Sequence, residues 1–183
     1  MVRIICYNMK NAEKGMLSAM KILVFSDSHS GMSLMRECIR RIRPDQIIHL
    51  GDYYEDGETI AEENPNLIVY QVPGNCDRYR CSLSAREILV LTIGGVRMYM
   101  THGHRHNVKM TDIRLLADAY EAKADIVLYG HTHCADLRLE EGMWIMNPGS
   151  CGARYGTCGL IEIENGEIKD CSILSKSDLE EYV

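Results

Sequence analysis

Five short polar clusters each follow an apolar run: Asp27-Ser28-His29, Gly51-Asp52, Gly74-Asn75-Cys76-Asp77, Thr101-His102-Gly103-His104 and Gly130-His131-Thr132-His133. Asp, Asn and His side chains are ligands for divalent transition metals. Two such metals held about 3.5–4 Å apart can clamp a phosphoryl group and activate a water between them. A pair of cations calls for one shared anionic ligand, and Asp52, isolated after Gly51, is the expected bridge. Asp27 and His29 stand two residues apart, a spacing that puts both side chains on one face of an extended chain. His131 and His133 repeat that spacing, Asn75 offers a neutral amide oxygen, and His102 a further imidazole. This set reads as a binuclear metal enzyme.

Such clusters act together only if the fold gathers them. Lys21–Phe25 is a short apolar run delivering Asp27. Met32–Arg43 then carries Met32, Met35, Cys38, Ile39 and Ile42 at helical spacing, with Arg36, Arg40 and Arg41 off the stripe, and Pro44 stops it. Gln46–Leu50 reads as a strand delivering Asp52, Asp56–Glu63 as a short acidic helix, and Leu67–Val72 as a third strand turned into Asn75 by Pro73-Gly74. The alternation indicates parallel βαβ units, whose strands present ligands at their carboxyl ends.

The second half changes character. Glu87–Ile93 and Val96–Met100 flank Gly94-Gly95, a hairpin signal. Asp112–Lys123 reads as a helix with Ile113, Leu116, Ala117 and Tyr120 on its apolar face, and Asp125–Tyr129 as a buried strand ending at His131. Asp136–Leu139, Met143–Met146, Gly159–Glu164 and Glu167–Leu174 follow as strands separated by tight turns at Glu141-Gly142 and Asn165-Gly166. The expected architecture is a two-sheet α/β sandwich, mostly antiparallel in its C-terminal part. Residues 1–19 have weak periodicity and read as an N-terminal extension, flexible or arising from an early start codon; 20–183 read as one domain.

Bulk properties exclude several classes. At 183 residues, 46% hydrophobic and 25% charged, the chain has the composition of a soluble globular domain. Its formal charge of −6 argues against a general nucleic-acid binder, and a long polynucleotide substrate is disfavoured by the lack of a basic, aromatic-rich groove. No run approaches the roughly 18 apolar residues of a membrane span, and no secretory leader is visible. The eight cysteines are scattered without a C-x-x-C pair, which suits reduced thiols in the cytoplasm, most of them small core side chains.

The order D-x-H, G-D, G-N-x-D, H-G-H, G-H-T-H resembles the calcineurin-like metallophosphoesterase superfamily. Cys76 in Gly74-Asn75-Cys76-Asp77, the short chain and Asn147-Pro148-Gly149-Ser150 are similar to its small YfcE-type phosphodiesterase branch. The resemblance spans Met20 to about Leu174. It implies a four-layer α-β-β-α sandwich, and Asp27, His29 and His133 on a first metal. It also implies Asn75, His102 and His131 on a second metal, with Asp52 bridging. The implied cofactor is a pair of divalent ions, Mn²⁺ first, with Ni²⁺, Fe or Zn²⁺ as alternatives, and a bridging hydroxide for in-line attack on phosphorus. The implied partner is a small phosphoester; a homo-oligomer is left open. The superfamily also holds a retromer subunit that works as a protein-binding scaffold, the alternative reading.

Asp52, Asn75, Cys76, Asp77 and His104 are the candidates nearest the chemistry. Many superfamily members carry a His where Cys76 stands, aimed at the leaving-group oxygen. Cys is a poor donor, so slower turnover or a preference for good leaving groups is expected, with His104 partly filling the role. Asp77 is expected to brace its neighbours by hydrogen bonds, and His49 to be a satisfied core histidine or one supporting a ligand. His106 reads as a solvated loop residue. Arg78, Arg80, Arg105 and Arg154 are candidate phosphate clamps, although most exposed arginines are merely solvated.

Overall fold

Side-chain alternation along the strands decides the layers. In the computed structural model, which describes residues 19–78, 81 and 84–182, Ile22 and Val24 of β1 (Met20–Phe25) point into one apolar cluster and Leu23 and Phe25 into another. Successive side chains of a strand face opposite sides of its sheet, so both faces of this sheet are covered. β1 pairs in parallel with β2 (Gln46–His49), and β2 with β3 (Ile68–Gln71). α1 (Ser33–Ile42) and α2 (Tyr54–Glu63) are the crossovers. Leu34, Met35, Cys38 and Ile42 of α1 are buried and Met32 and Ile39 partly so, the stripe that the helical spacing foretold.

The second sheet is built from β4 (Ile88–Ile93), β5 (Val96–Thr101), β6 (Ile126–Leu128), β7 (Asp136–Glu140) and β8 (Met143–Asn147), in the order β4-β5-β6-β8-β7. β5, β6 and β8 run parallel, with an antiparallel strand at each edge. The last two strands, β9 (Thr157–Glu164) and β10 (Glu167–Ser175), return to the first sheet and extend it antiparallel beside β1, giving the order β10-β9-β1-β2-β3. The hairpin turns Gly94-Gly95, Glu141-Gly142 and Asn165-Gly166 have both residues at positive φ, as tight right-twisted hairpins require.

Three apolar clusters define four layers. Ile22, Val24 and Ile48 of the first sheet meet Met98, Met100, Ile126, Leu128 and Met146 of the second. α1 and α2 cover the outer face of the first sheet. Leu115 and Ala119 of α3 (Ile113–Glu121) cover Tyr99, Val127 and Ile145 of the second. The fold is therefore an α-β-β-α sandwich. No described helix is long and apolar enough to cross a membrane. Residues 1–18, the larger part of the expected N-terminal extension, lie outside the described residues.

The face of α3 differs from the sequence expectation. Ile113 is 71% exposed, Ala117 and Tyr120 are also exposed, and the buried pair is Leu115 and Ala119. Leu115 and Ala119 face the sheet, four residues apart on one side of the helix, with Leu116 and Ala122 flanking. Leu115→Ala is expected to lower unfolding free energy by about 2–5 kcal/mol, whereas Ile113→Ala stays within about 0.5 kcal/mol. Urea titrations of both variants check this, and equal effects would contradict the placement.

Candidate metal centre

The polar clusters stand at the carboxyl rim because each closes a strand or the loop just after it. Asp27 follows β1, Asp52 follows β2, Asn75 follows β3, His102 follows β5, and His131 and His133 follow β6. The two sheets face each other, so ligands from both converge over the cleft between them. Asp27, His29, Asp52 and His133 offer ligand atoms all within 4.8 Å of one another, and so do Asp52, His102 and His131. Asp52 belongs to both sets.

The backbone achieves this differently from the extended chain expected from D-x-H spacing. Asp27, His29, Asp52, His131 and His133 all have positive φ, at 54°, 44°, 57°, 70° and 60°. Each such residue costs about 1–2 kcal/mol without a glycine, and long-range hydrogen bonds hold the turns. Asp27 N donates to Gly51 O at 2.9 Å, and His131 N to Asp27 Oδ2 at 3.0 Å. Two glycines permit the close approach: a Cβ on Gly74 would strike Asp52 Oδ1, and one on Gly130 would strike Ser26 Oγ.

Asp77 supports Asp52 from below. Its Oδ2 accepts from Asp52 N at 2.9 Å and Gly74 N at 2.7 Å, and its Oδ1 from Tyr53 N at 2.8 Å and Tyr54 N at 2.9 Å. This carboxylate thus caps the start of α2 from another segment and pins the loop that carries Asp52. His49 is fully buried. Its Nδ1 accepts from Gly51 N at 3.3 Å, leaving Nε2–H to face Ser28 Oγ at 3.2 Å, and Ser28 Oγ donates to Asp56 Oδ2 at 2.7 Å.

The electrostatics leave the site short of positive charge. Burial works against the charge of Asp52, but neighbouring His102 and the Cys76 N–H, at 2.9 Å from Oδ1, hold its carboxyl below the usual range. His131 is pushed down to about 4, chiefly by burial and then by His102. His104 is lowered by burial and by His102. Cys76 is pushed up to about 11 by burial and by Asp52, so it is a neutral thiol.

Two buried atoms bear on whether the site suits a cation. His102 Nδ1 lies 2.8 Å from Leu50 O, which places its proton there and presents the Nε2 lone pair inward; that Nε2 has no hydrogen-bond partner among the described residues. Asp27 Oδ1 is equally without one, while Oδ2 accepts from Ser26 Oγ at 2.6 Å. His133 Nε2 is 3.0 Å from Asp27 Oδ1, and His102 Nε2 is 3.5 Å from Asp52 Oδ1. These nitrogen and carboxylate oxygen atoms converge, with the His102 imidazole oriented from behind by Leu50 O, and fit divalent cations. The mixed N/O set suits Mn²⁺, Fe, Zn²⁺ or Ni²⁺ and disfavours Ca²⁺.

Other expected residues are distributed as follows. Asn75 opens the short turn beside Cys76 and lines a cleft of about 500 Å³ shared with His104, Arg78 and Arg105. Arg105 is paired with Glu87, and Arg154 lies over the Tyr155 ring in a separate cleft. Arg80 lies outside the described residues. His106 is not a solvated loop residue: it is buried, its Nε2 3.2 Å from both Tyr99 Oη and Asp118 Oδ2, and it ties α3 to the second sheet. The Asn147–Ser150 loop shapes the rim. Asn147 Nδ2 donates to Gly130 O at 3.1 Å and Thr132 Oγ1 at 2.9 Å, and Ser150 Oγ to Asp27 O at 2.7 Å. The Ser28–Asp56 hydrogen bond escaped sequence reasoning, because pairing across 28 residues leaves no local spacing.

Residues 20–166 match the family model of the calcineurin-like phosphoesterase superfamily domain. The chain belongs to that superfamily. It is 33% identical to "Probable metallophosphoesterase YsnB" of Bacillus subtilis over 134 residues, covering 72% of this chain and 75% of that protein. It is 27% identical over 168 residues to "Phosphodiesterase MJ0936" of Methanocaldococcus jannaschii, covering 82% of this chain and 98% of that one. Among solved structures, Vacuolar Protein Sorting 29 of Cryptosporidium parvum superposes with a TM-score of 0.66 at 17% identity, over 87% of this chain and 100% of the other. This last likeness is one of fold. A calcineurin-like phosphoesterase domain with Asp and His side chains placed to bind metal is a hydrolase of that family.

Two outcomes check the supports. Asp77→Asn turns an NH₂ towards backbone N–H donors and is expected to destabilise the protein by about 1–3 kcal/mol, read as a lower urea midpoint; an unchanged midpoint would refute the capping role. For His49, burial depresses the folded value to about 4 from 6.5, so its contribution is complete above pH 6.5 and is lost as pH falls from there towards 4. Thermal melts of chelated protein should show that loss, with a slope of up to about 1.4 kcal/mol for each pH unit crossed. His49→Gln should make the dependence shallower; an identical slope would exclude His49 as a source.

Proposed function

We propose that this protein is a binuclear metal-dependent phosphoesterase acting on small phosphoesters, diesters in preference to monoesters. The observation that carries the reading is the pair of ligand clusters sharing Asp52, with buried, unsatisfied lone pairs on Asp27 and His102. Asp27, His29 and His133 would hold one ion; Asn75, His102 and His131 would hold the other; Asp52 would bridge. Bound there, two divalent ions would supply Lewis acidity to the phosphoryl oxygens and would lower the pKa of a water towards about 7, the chemistry that in-line attack on phosphorus needs.

The chain's own groups do the rest. Asp77 and the 49–56 hydrogen-bond chain hold Asp52 and the Asp27–His29 loop in place. Leu50 O orients His102, and Asp27 Oδ2 holds the His131 backbone. Cys76, as a neutral thiol, is a weak hydrogen-bond donor and no nucleophile. Help to the leaving group falls to His104, whose ring centroid is 5.5 Å from that of His102. A preference for substrates with good leaving groups follows, and the relative named a phosphodiesterase supports the choice of diesters. Mn²⁺ is the first choice of metal, and the cytoplasm, where thiols stay reduced, the proposed location.

The scaffold reading is favoured by the fold shared with Vacuolar Protein Sorting 29. Ligand completeness weighs against it, since a scaffold has no need of seven coordinating side chains at the expected positions. The test strips metal with a chelator, restores Mn²⁺ or Ni²⁺, and assays a chromogenic diester beside the monoester. Hydrolysis should vanish and return, faster on the diester. Asp52→Ala and His131→Ala should lose more than the roughly 10–100-fold seen when only a ligand's supporting partner is removed. No metal-dependent hydrolysis of either ester would end the enzyme reading.

A further inference from the structure

A cleft of about 780 Å³ opens at the same rim as the metal centre, on the flank of β1 away from β2. Its walls come from the start of α1, the 151–156 loop and the 175–177 segment after β10. Ser175 pairs with Thr157, and Val24 with Gly159, so the mouths of β9 and β10 meet the end of β1 here. The cleft and the metal centre share a wall. Gly31 and Gly152 line the cleft, yet Gly31 N donates to Ser28 O at 2.6 Å and Gly152 N approaches Asp27 O at 3.4 Å. The volume falls within the about 300–1,000 Å³ of small-molecule sites.

Charge selects the ligand. Arg154 and Lys176 project into the lining and form no ion pair among the described residues. Glu37, the acidic side chain of the lining, is taken up by Arg40 and Arg41 at 2.8 and 2.5 Å. The cleft is therefore locally cationic in a chain of formal charge −6. Tyr155 is 83% exposed, with the Arg154 guanidinium 5.5 Å from its ring centre. An exposed aromatic ring with Arg154 over one face leaves the other face for stacking, and with cations outside any ion pair beside it suits a flat ring joined to an anion.

We propose that this cleft binds a nucleoside phosphate, its phosphate against Arg154 and Lys176 and its base stacked on Tyr155. The proposal stands on the cleft and does not require the phosphoesterase reading. Calorimetric titration of the full-length protein with AMP, adenosine and inorganic phosphate, each with and without chelator, tests it. AMP should bind in both conditions and at least about tenfold more tightly than either fragment. The double variant R154Q/K176Q should weaken AMP by at least about tenfold through loss of the charge-assisted contacts. Tyr155→Leu should weaken AMP while leaving phosphate unchanged. Both sites are exposed, and urea midpoints confirm folding. AMP binding that disappears with chelator, or that the double variant leaves intact, would overturn the proposal by placing the nucleotide on the metals or elsewhere. Phosphate binding as tightly as AMP would overturn the nucleoside part.

Discussion

Asp27 and Asp52 are buried carboxylates at the ends of adjacent parallel strands, and the rest of the rim is arranged to answer their charge. A buried anion is costly unless paired or coordinated. Ser26, the His131 and Cys76 N–H groups and neighbouring imidazoles answer part of it. They leave one oxygen of Asp27 and one nitrogen of His102 unsatisfied in the interior. A cation resolves both at once, which is why the same arrangement that looks unfavourable as a fold makes sense as a metal centre.

Holding those groups in place is the work of the layers beneath. Five ligand candidates sit in left-handed backbone, where strain of this kind persists only if the surroundings over-determine it. Here they do. Asp77 ties the turn after β2 to the turn after β3 and to α2; Ser150 and Asn147 tie the turns after β1 and β6 to the turn after β8. The apolar interior between the sheets fixes the spacing of the strand ends, so the loops above have little freedom to relax.

The strands and α1 were legible because their signals are local: apolar runs ending in polar clusters, and a Met and Ile stripe with arginines off it. The polar clusters themselves were legible because Asp, Asn and His after buried strands have few other reasons to recur five times. α3 was placed in sequence but not in rotation, since apolar residues stand on more than one side of it and only packing on the second sheet selects Leu115 and Ala119. His106 looked like a loop residue, and only the approach of Tyr99 from β5 and Asp118 from α3 makes it a buried tie. The D-x-H and H-x-H pairs were expected to converge through extended chain; they converge through left-handed turns, a distinction spacing cannot carry.

By itself the sequence determined which side chains could bind metal, which segments are strands and helices, and that the family's motif set is complete. Tertiary structure decided that Asp52 lies within reach of both ligand groups, that Asp77 is a cap shared by two loops, and that the cationic Arg154–Lys176 cleft stands against the Asp27 loop. The physical reason is range. Periodicity and residue chemistry act over a few neighbours and survive in the linear order. Burial, lone-pair direction and charge balance are set by groups about 25 to 125 positions apart, and those meet only when the two sheets close on each other.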